Sequence, residues 1–110
     1  MDMTEADNEM LIMNLIVDAG SARSFALEAI QLAKTGKLDE ADQSLENANS
    51  ELSKVHQIQT DLIQREAKGN RTEINLFMVH AQDHIMTAML ARDLAIEIVD
   101  LHRQLHEKND

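Results

Sequence analysis

"AKTGKLDEAD", Ala33 to Asp42, decides how this chain is divided. It holds Gly36, one of only three glycines (with Gly20 and Gly69) in a sequence that has no proline. Ala, Leu, Met, Glu, Gln and Lys abound on either side of it, and all favour helix. A glycine that closes such a run suits a left-handed helix cap. Gly36 therefore predicts the end of one helix and the start of another a residue or two later. "REAKGNRTE", Arg65 to Glu73, repeats the pattern around Gly69. There Asn70 or Thr72 is expected to cap the following helix, and Asn70 with Glu73 has capping-box spacing. The reading is all-α: a single domain over residues 1–110 with helices at about 4–34, 38–66 and 72–107. Short connections make neighbours antiparallel, which gives an up-down-up three-helix bundle.

Composition narrows the function. The 110 residues suffice for one domain with a modest core. Without cysteine there is no disulfide, thiolate zinc site or thiol catalysis. A formal charge of −10 disfavours nucleic acid, which needs Lys and Arg against its phosphates, and disfavours an anionic membrane surface. Two Phe, no Trp and no Tyr leave no aromatic platform for bases or sugar rings. The opening "MDMTEADNEM" is acidic and polar, unlike a secretory signal. No apolar run approaches the roughly 18 residues that span a bilayer. The expectation is a cytoplasmic protein.

The three helices differ in how much apolar surface they carry. The second has one stripe, Leu38, Ala41, Leu45, Ala48, Leu52, Val55 and Leu62, with Gln59 its one polar member. That is an outer helix with a single buried seam. The third has three seams. One is Ile74, Phe77, Ala81, His84, Ala88, Ala91, Ala95 and Ile98. The second is Leu76, His80, Asp83, Thr87, Leu90, Leu94 and Leu101. The last contains Met78, Gln82, Ile85, Met89, Ile96 and Val99. The first helix is over-supplied in the same way between Met10 and Ala33. Apolar surface on this scale predicts association, closed by symmetry, with the third helix near the axis. Periodicity does not choose between two, three and four copies.

Inside that apolar third helix lies "FMVHAQDHIMT", Phe77 to Thr87, where His80, Asp83 and His84 are neighbours at i, i+3 and i+4 spacing. Four readings compete. The cluster can be a hydrogen-bonded boundary, as suits His56, or His102 and His106 near a helix C-terminus. It can hold a metal, although there is no HExxH and no histidine has a Glu three residues before it, as a di-iron bundle would need. Asp83 alone can meet its symmetry copies at an axis, where like carboxylates share protons or bind a cation. Or His80 is a nucleophile, kept uncharged by its apolar surround, with Gln82 and His84 donating hydrogen bonds to a group attached to it. No P-loop or kinase-type glycine loop is present, so a phosphoryl group would come from an already activated donor such as a phosphohistidine. A non-enzymatic helical oligomer, a structural or metal-binding adaptor, stands as the alternative.

"MVHAQDHIMTAMLARDL", Met78 to Leu94, resembles the signature of the lactose/cellobiose-type enzyme IIA of the bacterial phosphoenolpyruvate-dependent sugar phosphotransferase system. "IVDAGSARSFALEAIQLAKTGKLDEAD" and "VHQIQTDLIQREAKG" extend the likeness over nearly the whole chain. The resemblance implies a three-helix bundle that assembles into a nine-helix homotrimer. It implies that His80 takes a phosphoryl group from the phosphocarrier HPr and passes it to a cysteine of the IIB component, which serves the membrane component IIC. It implies that Asp83 gathers at the trimer axis and holds a divalent cation, Mg2+ being the expected one. It implies that Gln82 and His84 lie close to the phosphoryl group. "ARDLAIEIVDLHRQLHE" is closer to the cellobiose/chitobiose branch than to the lactose branch. Members vary before the position of Met10, and partial disorder is expected there.

Overall fold

The computed structural model describes residues 5–108. They form three helices, α1 (Glu5–Lys34), α2 (Leu38–Ala67) and α3 (Leu76–Lys108), in a bundle with extents of 59 × 22 × 20 Å. Thr4, where the first helix was expected to begin, lies outside the described residues. Disorder before Met10 is not what residues 5 to 9 show, because they already belong to α1.

Both glycine turns close in the same way. Gly36 has φ of 81°, its N–H donates to the Ala33 carbonyl at 3.0 Å, and the Lys37 N–H donates to the Leu32 carbonyl at 3.0 Å. Gly69 has φ of 94°, with Gly69 N–H to the Glu66 carbonyl at 3.0 Å and Asn70 N–H to the Arg65 carbonyl at 2.9 Å. These are two Schellman turns, each satisfying carbonyls that a helix end leaves bare. The second one corrects the expected start of the third helix. Asn70 is taken up in closing α2, so it caps nothing, and neither does Thr72. The chain runs without regular structure to Asn75, whose Oδ1 accepts from the Met78 N–H at 2.9 Å. Asn75 is the N-cap, and α3 begins at Leu76 rather than near residue 72.

The core is built on small residues. In α1 the buried positions are Ile12, Leu15, Ala19, Ala22, Ala26, Ala29 and Ala33, alternating steps of three and four. Alanine at five of seven places lets the facing helices come close. In α2 the buried stripe is Ala41, Ser44, Ala48, Leu52, Val55 and Leu62. Ser44 is absent from the expected seam; its hydroxyl donates to the Phe25 carbonyl at 2.8 Å, which offsets the cost of burying it. The larger core side chains, Leu15, Leu52, Val55, Leu62, Met78 and Ile85, gather in one cluster, while Ala29, Ala33, Ala41 and Val99 fill the other. Each buried Leu or Ile contributes about 1.5 to 3 kcal/mol. The end of the bundle that carries residues 78–88 is therefore the more firmly anchored one.

Helix α3 buries Met78, Ala81, Ile85, Ala88, Ala95 and Val99, a face between the first and third expected seams. The second seam is exposed along its whole length, from Leu76 through His80, Asp83, Thr87, Leu90 and Leu94 to Leu101. Helix α1 also leaves Met10, Met13, Val17 and Leu27 open. One sequence expectation changes here. Among the described residues, Asp7–Lys34 is long and apolar enough to cross a membrane by length and composition. The cause is the double duty of α1, which has apolar side chains on the face turned to α2 and α3 and on the face turned away.

Candidate functional site

The third helix sets the geometry. His80 and His84 are one turn apart, and their rings meet with centroids 4.2 Å apart and planes tilted by 54°. His80 is exposed; His84 is half-buried. Leu76, Phe77 and His80 line a shallow apolar depression of about 290 Å³. The His80 ring is thus reachable from solvent with apolar side chains on one side and a second imidazole on the other. The surround that was expected to shield it is not supplied by its own chain.

The partners of His84 are uneven. Its Nδ1 is buried and has no hydrogen-bond partner. Asp83 lies on the outward seam and is exposed. The Thr87 hydroxyl donates to the backbone carbonyl of Asp83 at 2.9 Å and so does not engage its carboxylate. Among the described residues no three His, Asp or Glu side chains of one chain come together as a metal site. One carboxylate is a hard oxygen ligand of the kind Mg2+ takes, but a single chain offers only that one.

Gln82 goes elsewhere. Two residues along a helix turn by about 200°, so it cannot share a face with His80. Its amide lies in the seam between α2 and α3. Gln82 Nε2 donates to Gln59 Oε1 at 3.0 Å, and Gln59 Nε2 donates back to Gln82 Oε1. The structure therefore brings His80 and His84 together in one chain, sets Asp83 beside them on the open stripe, and holds Gln82 apart. Gln59 was not among the sequence-derived site residues. Its signal was present as the one polar member of an apolar stripe.

The arrangement fits group transfer better than hydrolysis or redox chemistry. Imidazole is a competent nucleophile when its lone pair is free, and an exposed ring admits a donor held by another protein. A second ring within one turn offers a hydrogen bond to whatever the first ring carries.

Comparison with known proteins agrees. Residues 10–103 match the family model described as "PTS system, Lactose/Cellobiose specific IIA subunit". The lichenan-specific phosphotransferase enzyme IIA component of Bacillus subtilis is 49% identical over 100 residues, 91% of this chain and 91% of that protein. The crystal structure of the PTS cellobiose-specific enzyme IIA from Bacillus anthracis has a TM-score of 0.88 and 45% identity, covering 97% of this chain and 96% of that one. The solution structure of the IIA(chitobiose)–HPr complex of Escherichia coli matches with a TM-score of 0.77 and 39% identity, over 89% of this chain and 95% of that one. A bundle of this topology, a motif with an open histidine and a family match over most of the length converge: the chain belongs to the lactose/cellobiose-specific IIA family of the sugar phosphotransferase system and is a phosphotransferase component.

Proposed function

We propose that this protein is a cytoplasmic phosphocarrier that accepts a phosphoryl group on His80 from phospho-HPr and donates it to a cysteine of the IIB component. The observation that carries the reading is the exposed His80 ring with the tilted His84 ring packed against it, 4.2 Å between centroids. The lone-pair nitrogen of His80 forms an N–P bond as the N–P bond of the donor phosphohistidine breaks. The new phosphorylated ring keeps its proton on the other nitrogen and so carries the ring charge that the departing donor ring gives up. No proton is left over, and one phosphohistidine replaces another at little net cost. In the onward step a thiolate of IIB forms an S–P bond, the N–P bond breaks, and the His80 ring returns to its starting form. The protein's contribution is placement and exclusion of water, which would otherwise waste the phosphate.

The same reading gives the open stripe of α3 a use. Three copies packed on Leu76, Leu90, Leu94 and Leu101 make a nine-helix trimer and bring three Asp83 carboxylates to one axis. Three carboxylates with water suit a divalent cation, Mg2+, that no single chain can hold. Gln82 would meet a phosphoryl group only across a subunit boundary, since its own His80 lies on the other side of the helix. The sugar is a β-linked disaccharide, of the cellobiose or chitobiose kind rather than lactose. The support is the ending of α3 and the substrates named for the relatives. The component itself need never touch that sugar.

The test is to mix the protein with HPr, enzyme I and labelled phosphoenolpyruvate and to map the label. Acid-labile label on His80 is the expected result. No uptake, with no change on replacing His80, would leave a structural or metal-binding adaptor.

A further inference from the structure

We infer that His84 carries its ring proton on Nε2 and works as a donor from that atom alone, with Nδ1 sealed as a bare acceptor. The inference starts from His84 Nδ1, the one buried polar side-chain atom without a hydrogen-bond partner among the described residues. A neutral imidazole has one N–H and one lone pair, and the hydrogen bonds around it choose which nitrogen has which. Here nothing accepts a proton from Nδ1. An N–H stranded in a protein interior is rarer than an under-satisfied acceptor. The proton therefore belongs on Nε2, the only other ring nitrogen.

This matters because of where the ring sits. His84 faces the His80 ring at 4.2 Å between centroids, while its Nδ1 edge is turned inward. Nε2 is then the atom available to a group on His80. A phosphoryl oxygen there would accept from Nε2–H at about 2.7 to 2.9 Å, the length of a hydrogen bond to an anion. The alternative proton position would present a lone pair to that oxygen and repel it. Burial of one nitrogen thus fixes the polarity of the other without a carboxylate or backbone carbonyl behind the ring, the usual way to set a histidine's tautomer. The consequence for transfer rests on the phosphocarrier reading. The proton's position does not, because it is a property of the unphosphorylated chain.

Two measurements on the full chain test this. Long-range ¹H–¹⁵N correlation of the unphosphorylated protein, at a pH where His84 is neutral, should show Nε2 protonated; a proton on Nδ1 overturns the inference. The second compares His84→Gln with His84→Asn. The Gln amide nitrogen falls near the place of Nε2, the Asn nitrogen near that of Nδ1. Both variants should take phosphate more slowly than the wild type. The Asn variant should be slower than the Gln variant by about 10- to 100-fold, which is what loss of one hydrogen bond to a charged group gives. Equal rates, or a faster Asn variant, overturn the donor role. If wild-type protein takes no label on His80, the phosphocarrier reading fails on its own, and the tautomer still stands or falls by the correlation spectrum.

Discussion

Gln59 and Gln82 bind each other with both ends of their amides: Gln82 Nε2–H donates to Gln59 Oε1 at 3.0 Å, and Gln59 Nε2–H donates to Gln82 Oε1. The pair is part-buried and ties α2 to α3 level with the two histidines. Each amide satisfies the other, so removing one takes the second's partner away in a half-buried seam. Gln59→Leu should cost about 1 to 2 kcal/mol. Replacing both by Leu should recover most of that, because no polar atom is then left unpaired. Urea unfolding of the wild type, the two single variants and the double variant gives the cycle. Costs that simply add would show that the amides do not depend on each other.

The start of α3 supplies a second prediction. The Asn75 side chain accepts from the Met78 N–H at 2.9 Å, whereas Asn70 acts only through its backbone N–H. Asn75→Ala should destabilise the protein by about 1 kcal/mol, the usual worth of an N-cap. Asn70→Ala keeps its backbone bond and should cost well under half of that. The comparison needs only thermal melts at one protein concentration. The reverse order would mean that the cap is Asn70 after all.

These two sites mark the limits of what the sequence discloses. Gly36 and Gly69 announce their turns because a left-handed backbone in a proline-free helical chain leaves few other residues to choose. The stripe of α2 is legible because that helix has one apolar face. The start of α3 after Asn75 is harder to see: Asn70, Thr72 and Asn75 are all competent caps, and only the closing bond of the preceding turn decides which is already in use. The burial of α3 is hidden for a different reason. Three apolar seams compete, and periodicity cannot say which of them one chain buries and which it leaves for a neighbour. At the site, His80 and His84 declare themselves by i, i+4 spacing. The place of Gln82 follows from the same geometry, since i, i+2 residues look in opposite directions. What no spacing reveals is that Gln59, the odd polar residue on the neighbouring helix, would be waiting for it.

His80 is exposed and belongs to no core cluster. His80→Gln should therefore leave helix content and melting temperature nearly unchanged while abolishing phosphate uptake from HPr. Far-ultraviolet circular dichroism and acid-labile label, measured on the same sample, separate the two effects. Label retained by this variant would remove His80 as the acceptor.

Asp83 stands on the open stripe of α3 between the apolar levels of Leu76 and Leu90, all three of them exposed in the single chain. If the proposed trimer forms and apolar contact holds it together, Asp83→Leu should leave it assembled, and by removing like charges at the axis should strengthen it. The divalent-cation binding proposed for the three Asp83 carboxylates should be lost. Sedimentation velocity reads the first outcome and Mg2+ titration calorimetry the second. Dissociation to single chains would assign the cohesion to the ion and not to the leucines.

The last prediction contrasts two glycines. Gly20 sits in the middle of α1, and a Cβ built there meets nothing within 4 Å. Glycine inside a helix costs about 1 kcal/mol relative to alanine, so Gly20→Ala should raise stability by about that much. Gly36 has φ of +81°, and a Cβ there would lie 3.1 Å from Cε1 of His106, which folds over the α1–α2 turn from the end of α3. Gly36→Ala should lower stability by about 1 to 2 kcal/mol, from the left-handed backbone as well as the contact. For a chain of this size each kcal/mol moves the melting temperature by several degrees. The two variants should therefore separate clearly on either side of the wild type. A Gly20→Ala variant that melts lower would show that a neighbouring helix approaches α1 at that point, because its own chain leaves the space open.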